Sequence, residues 1–175
     1  MTGTFLVRAA AATDVDAIVD LFVAVADEGR WLGAEPPVDR DERRQRFLDM
    51  IEAPDDYASI VAVAEGRIIG HAAVDLAPYK VAGLGMMVDA GWRGLGVGSG
   101  LVRSAIERAQ ALGAHKLALQ VWPHNAAARR LYARHGFVEE GVLRRQYRRH
   151  NGELWDAVIM GLVFDETSPG GPGSS

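Results

Sequence analysis

The residues best placed to do chemistry lie between Val88 and Leu101, where the chain reads VDAGWRGLGVGSGL. Gly94, Gly96, Gly98 and Gly100 alternate along it, and an apolar-periodic stretch follows at once. Glycines let a backbone aim several N–H groups at one point with no side chain in the way. At the start of a helix those donors add to the helix dipole, so the corner suits an anion, most naturally a phosphate or pyrophosphate. A nucleoside-triphosphate loop would end in Gly-Lys-Ser/Thr, yet no lysine occurs between Lys80 and Lys116. The dinucleotide pattern Gly-x-Gly-x-x-Gly fails too, because its last position falls on Ser99 or Leu101. What fits is Arg-x-x-Gly-x-Gly, at Arg93, Gly96 and Gly98. A glycine-rich turn that only permits close strand–helix packing would read the same way.

A second group follows in LALQVWPHNAAARRLYARHGFVEEG. Asn125 and Tyr132 stand seven residues apart, two helical turns, and so share one face. Alone, Asn125 reads as an N-cap and Tyr132 as a core aromatic. The histidines His115, His124, His135 and His150 lack metal-ligand spacing and read as structural or surface groups. Arg144, Arg145, Arg148 and Arg149 read as a solvated basic face. Trp31 and Trp122 are candidates to line a pocket, Trp31 the more so because its surroundings are irregular.

These groups need elements to hold them. A strand is expected at about Phe5–Ala9, then a helix capped by Thr13 with Val15, Ile18, Leu21, Phe22 and Val25 at helical spacing, ending near Gly29. Arg30–Val38 (RWLGAEPPV) is turn-rich and irregular. Asp39 starts a second helix with Phe47, Leu48 and Ile51 on one face. Ser59–Ala64 and Arg67–Leu76 read as strands joined at Glu65-Gly66, and Gly83–Val88 as a third. A long helix starts at about Gly96, Lys116–Val121 is a buried strand, and Asn125 opens a helix that Gly136 ends. Phe137–Tyr147 and Glu153–Phe164 form a closing hairpin across Asn151-Gly152.

Composition bounds the rest. The chain has 175 residues, 49% of them apolar and 24% charged, which suits one ordinary globular domain. We expect that domain over residues 1–164, with a linker-like tail over residues 165–175. The lack of cysteine excludes disulfides, thiolate metal sites and a catalytic thiol. A net charge of -4 argues against binding nucleic acid by bulk electrostatics. No apolar run approaches the roughly 20 residues that span a bilayer. The start has no signal-peptide pattern, so a cytoplasmic protein is expected.

Taken together, the loop and the helix resemble the GNAT superfamily of N-acetyltransferases. Arg93, Gly96 and Gly98 match its acetyl-coenzyme A loop. Asn125, Leu131, Tyr132, Gly136 and Phe137 match its helix-opening Asn and its Leu-Tyr and Gly-Phe pairs. The likeness is densest over Gly83–Leu162 and weak before Tyr57. The stretch LRRQYRRHNGELWDAVIMGL looks like the final hairpin of bacterial acetyltransferases of ribosomal-protein N-termini. The resemblance implies an α/β (α+β) fold: a mixed, mostly antiparallel sheet of about six or seven strands flanked by about four helices. It also implies a splay between the strands at 83–88 and 116–121.

Acetyl-coenzyme A would lie in that splay as cosubstrate, with no metal. Its pyrophosphate would rest on N–H groups of Gly94, Leu95, Gly96, Val97, Gly98 and Ser99, with charge from Arg93 and Arg129. Its pantetheine arm would pair with Met86, Met87 and Val88 and meet Asn125 on the far side. Tyr132 would be the general acid at the departing sulfur, a transfer uphill by roughly 2 kcal/mol for a phenol facing a thiolate. The N-terminal acetyltransferases place a glutamate five residues before the Asn, and here that position is Gln120, which cannot take a proton. Glu28, Glu35, His71 or a water are left as candidate bases. Glu28, Trp31 and Glu35 flank or lie in the segment expected to cover the acceptor.

The implied activity is direct acetyl transfer to a primary amine of a protein or peptide, N-terminal or lysine. Acetylation of a small amine (an amino acid, polyamine or antibiotic) uses the same residues, and a non-catalytic acyl-coenzyme A sensor shares the fold. A deep pocket over Glu28–Arg46 would indicate a small amine, an open groove a peptide. Neither nucleic acid nor membrane is expected as a partner, and the chain would act as a monomer or homodimer.

Overall fold

A computed structural model describes residues 4–164. The tail expected over Asp165–Ser175 lies outside the described residues.

Strand β1 (Leu6–Ala9) leads through a 3-10 turn at Ala12–Asp14 into α1 (Val15–Asp27). Thr13 does not cap this helix, because it lies inside the turn. The Asp14 carboxylate organises the corner instead, accepting the Ala11 N–H at 2.8 Å and pairing with Arg8 at 2.7 Å. Helix α1 buries Val15, Ile18, Leu21 and Val25, the stripe its spacing announces. Helix α2 (Arg40–Glu52) starts where the Asp39 side chain accepts the Glu42 N–H at 3.0 Å, and it buries Phe47. Strands β2 (Tyr57–Ala64) and β3 (Arg67–Leu76) meet at Glu65-Gly66, both with positive φ, as a two-residue hairpin turn requires. Strand β4 (Val81–Val88) precedes α3 (Val97–Ala111), β5 (Lys116–Val121), α4 (Ala126–Arg134), β6 (Val138–Arg148) and β7 (Leu154–Val163).

The strands form one seven-stranded sheet in the order β1-β2-β3-β4-β5-β7-β6. Every neighbour pair is antiparallel except β4–β5, so the mixed, mostly antiparallel sheet with four flanking α-helices is as expected. Helices α3 and α4 pack on one face over Ile60, Ile69, Val74, Leu117 and Met160. Helices α1 and α2 cover the other over Val61 and Met87. Each such aliphatic side chain, fully buried, contributes about 1.5–3 kcal/mol of burial free energy. The parallel pair is short: only Val81–Gly83 meet Lys116–Ala118. Beyond Gly83 the two strands part, which is the expected splay.

Candidate active site

The splay opens a cleft of about 750 Å³, within the range of ligand pockets. Along it Leu84–Val88 bond to β3 on one side and have no β5 partner on the other. Backbone amides left free on such an edge can pair with an extended ligand that carries amides of its own. Met86, Met87 and Val88 all line the cleft, and Gly85, whose missing Cβ would meet only open space, widens it.

At the head of the cleft the glycine corner divides its labour. Gly94 and Gly96 have φ of +75° and +89°, values that an L side chain rarely adopts. Gly96 is the left-handed N-cap of α3 and offers no side chain to cap the first turn, so the leading N–H groups there stay available. Gly98 is glycine for space, since a Cβ there would lie 2.9 Å from the Leu131 side chain. Gly94, Gly96, Gly98 and Ser99 line the cleft. Two residues of the expected loop do not: Val97 turns fully into the core and Leu95 is exposed outside the lining. The Ser99 hydroxyl shares a hydrogen bond of 2.8 Å with His135 Nε2.

Helix α4 forms the opposite wall. Asn125 caps it by accepting the Ala128 N–H at 3.1 Å, which leaves its amide NH2 free at the cleft. Tyr132 also lines the cleft while only 7% exposed, and burial pushes its phenol up to about 12. The cations differ from expectation. Arg129 turns away to Glu139, at 2.6 and 2.8 Å, and is not in the lining. Arg130 and Arg134, one turn apart, do line the cleft and have no ion pair among the described residues. Arg129 and Arg130 are neighbours on a short helix, and the partner Glu139, beyond the helix end, decides between them.

The end of the cleft where the acceptor is expected lies on the sheet face of α1 and α2. Strand parity shows this: Gly83 pairs with Ala118, so Met87 and Gln120 project to the same side. Trp31, Leu32, Gly33, Gln120, Trp122 and Tyr147 line that end. The irregular segment Gly29–Val38 is tied down across it. Trp122 Nε1 donates to the Trp31 carbonyl at 3.0 Å, and His124 bonds the Arg30 carbonyl at 3.0 Å. Arg149 donates to the Leu32 and Gly33 carbonyls at 3.3 and 3.0 Å. Arg149 is therefore not part of a solvated basic face: it is 4% exposed, lies over the Trp155 ring at 4.3 Å, and faces Glu35 at 3.4 Å.

The candidate bases are engaged elsewhere. Both Glu28 oxygens accept from Arg93, at 2.6 and 2.7 Å, and Trp31 Nε1 adds a bond of 2.6 Å. The Arg93 guanidinium beside it holds the Glu28 carboxyl below the usual carboxylate range, outweighing its partial burial, with help from Trp31. Arg93 thus lines the cleft with its charge already paired. Glu35 accepts the His150 N–H at 2.9 Å and lies outside the lining. His71 is 3% exposed in the core, bonded to Ser59 Oγ at 2.9 Å and edge-on to Phe47. Burial lowers its pKa to about 4. Among the described residues no cluster of three metal-ligating side chains occurs, and no helix is long and apolar enough to cross a membrane.

Comparison with known proteins agrees with this geometry. Residues 20–137 match the model of the Acetyltransferase (GNAT) family. The chain is 36% identical over 109 residues to the L-amino acid N-acetyltransferase of Escherichia coli, spanning 59% of this chain and 67% of that protein. It is 29% identical over 167 residues to an L-methionine sulfoximine/L-methionine sulfone acetyltransferase of Pseudomonas aeruginosa, spanning 92% and 95%. The crystal structure of the ribosomal-protein-alanine N-acetyltransferase of Brucella melitensis superposes with a TM-score of 0.82 at 25% identity, covering 91% of this chain and 99% of that one.

Proposed function

The chain belongs to the GNAT family of acetyltransferases, and from that premise we propose that its acceptor is the α-amine of a small molecule of amino-acid type rather than a protein terminus or lysine. The observation that carries this reading is the strapping of Gly29–Val38 across the acceptor end by Trp122, His124 and Arg149. A peptide needs an open groove in which its chain can run on, and this end is lined by the strapped segment and by Trp31, Trp122 and Tyr147. The relatives named for an L-amino acid and for methionine analogues support the same class. The structure named for a ribosomal protein supports the peptide alternative.

Acetyl-coenzyme A is the acetyl donor and supplies the acyl group already activated as a thioester. In this reading the N–H groups at Gly94, Gly96, Gly98 and Ser99 hold the pyrophosphate, and Arg130 and Arg134 add positive charge beside them. On the Met86–Val88 edge the Val88 carbonyl already accepts from Arg93 Nε at 3.0 Å. The remaining groups pair with the pantetheine amides, and one N–H polarises the carbonyl under attack. Asn125 holds the far side with its free amide. Tyr132 donates to the departing sulfur. Among the described residues no carboxylate or imidazole lines the cleft, so in this reading the amine reacts in its uncharged form or loses its proton to water.

The test is a paired assay of coenzyme release with free amino acids and with tripeptides that begin with the same residues. The expected outcome is a kcat/KM at least about 100-fold higher for one or more free amino acids than for their tripeptides. Higher kcat/KM for the peptides would return the acceptor to the protein class.

A further inference from the structure

Tyr147 reaches the cleft because β6 is interrupted. Leu143 pairs with Ala157 and Tyr147 with Trp155, so four steps along β6 oppose two along β7. The extra residues include Arg145, whose φ of +51° is unfavourable for an L side chain. Asp156 holds that conformation by accepting the Arg145 N–H at 2.6 Å. Bulges of this kind bend a strand and re-aim its side chains, and strain is retained where it has a use. Two extra residues preserve the strand's parity, so Tyr147 stays on the face of its partner Trp155 and curls over the acceptor end. There its ring packs edge-on against Trp122, with centroids 5.0 Å apart. Its hydroxyl donates to Gln120 Oε1 at 2.7 Å. Both residues line the cleft, and Gln120 stands on β5 level with the open stretch of β4.

A phenol has one proton to give, and here it is committed to Gln120. What Tyr147 presents to the cleft is therefore an oxygen with lone pairs, in a fixed direction. We propose that Tyr147, oriented by Gln120, receives the acceptor amine: its phenol oxygen accepts one amine N–H and so turns the nitrogen lone pair toward the acyl carbon. This rests on the reading of the cleft as a site for a small amine entering beneath Gly29–Val38. The pair is neutral, so it holds no ammonium ion by charge and takes no proton. The uncharged amine is the form it binds. Tyr132, on the wall formed by α4, has the separate task of protonating the sulfur.

The test uses Tyr147→Phe, Gln120→Leu and Gln120→Glu in the full chain. Acetyl-coenzyme A affinity is measured by calorimetry, and kcat/KM for the wild type's best amine is measured across pH, whether that amine is an amino acid or a peptide. Tyr147→Phe and Gln120→Leu should each lower amine kcat/KM about ten-fold, carried by KM, with acetyl-coenzyme A affinity kept within about two-fold. Gln120→Glu places a proton acceptor at the amine and should move the rising limb of the pH profile to lower pH. Unchanged amine kcat/KM in Tyr147→Phe, a loss confined to acetyl-coenzyme A affinity, or a Gln120→Glu profile that overlays the wild type would each overturn the proposal. A wild type that prefers peptides contradicts only the small-amine reading, since Tyr147→Phe is then scored with the peptide.

Discussion

Tyr132 and His71 are both buried ring groups, and burial gives them opposite meanings. Raised to about 12, the Tyr132 phenol keeps its proton at any working pH, and full transfer to a thiolate then runs uphill by about 5 kcal/mol, so its hydrogen bond to the sulfur carries more of the role. Tyr132→Phe should lower kcat by about 100-fold or more while a calorimetric titration with acetyl-coenzyme A stays unchanged. His71 stays neutral in the folded chain down to about pH 4, whereas unfolded it takes a proton near pH 6.5. Between those values the unfolded state binds the additional proton. Stability is therefore complete above pH 6.5 and falls as pH drops toward 4, by about 3 kcal/mol in all. In urea denaturation at pH 7.5 and 5.0, His71→Gln should lose clearly less stability between the two conditions than the wild type. Asn125 and Tyr132 were legible in the sequence because two helical turns fix their shared face. Arg149, Tyr147 and the choice of Arg130 over Arg129 were not, because partners remote in sequence decide each of them: Leu32 and Gly33, Gln120, and Glu139.

Among the elements, those with strong local signals stand where the sequence puts them. Asp39 and Asn125 cap their helices, Gly136 ends α4 at φ +91°, and Glu65-Gly66 turns β2 into β3. Thr13 failed as a cap because Asp14, one residue on, is reached by both Arg8 and the Ala11 N–H. The β6 bulge carries no glycine or proline to mark it, and its anchor, Asp156, lies on another strand. Two substitutions probe the elements that frame the cleft. Gly96→Asp forces a side chain and a negative charge into a left-handed position at the phosphate corner, and acetyl-coenzyme A affinity by calorimetry should fall below detection. Arg149→Ala leaves Glu35 without its buried partner and frees the acceptor strap. It should destabilise the fold by about 3 kcal/mol in urea unfolding, and below the transition amine kcat/KM should fall more than acetyl-coenzyme A affinity.

At the scale of the whole molecule, function follows from one irregularity of the sheet. Six strand pairs hold seven strands together, and only β4–β5 lets go after three residues. The cleft takes lining residues from the start of α3 and from α4 on one side and from Trp31, Leu32 and Gly33, beside α1, on the other. The chain has no cysteine to form an acyl-cysteine, and in the proposed reading donor and acceptor are present together in that gap. The measurement that tests this most directly is the initial rate of coenzyme release, with acetyl-coenzyme A varied at several fixed concentrations of the best small amine. The expected result is release that requires the amine and double-reciprocal lines that intersect. Parallel lines, or release at the same rate without an amine, would contradict direct transfer across the splay.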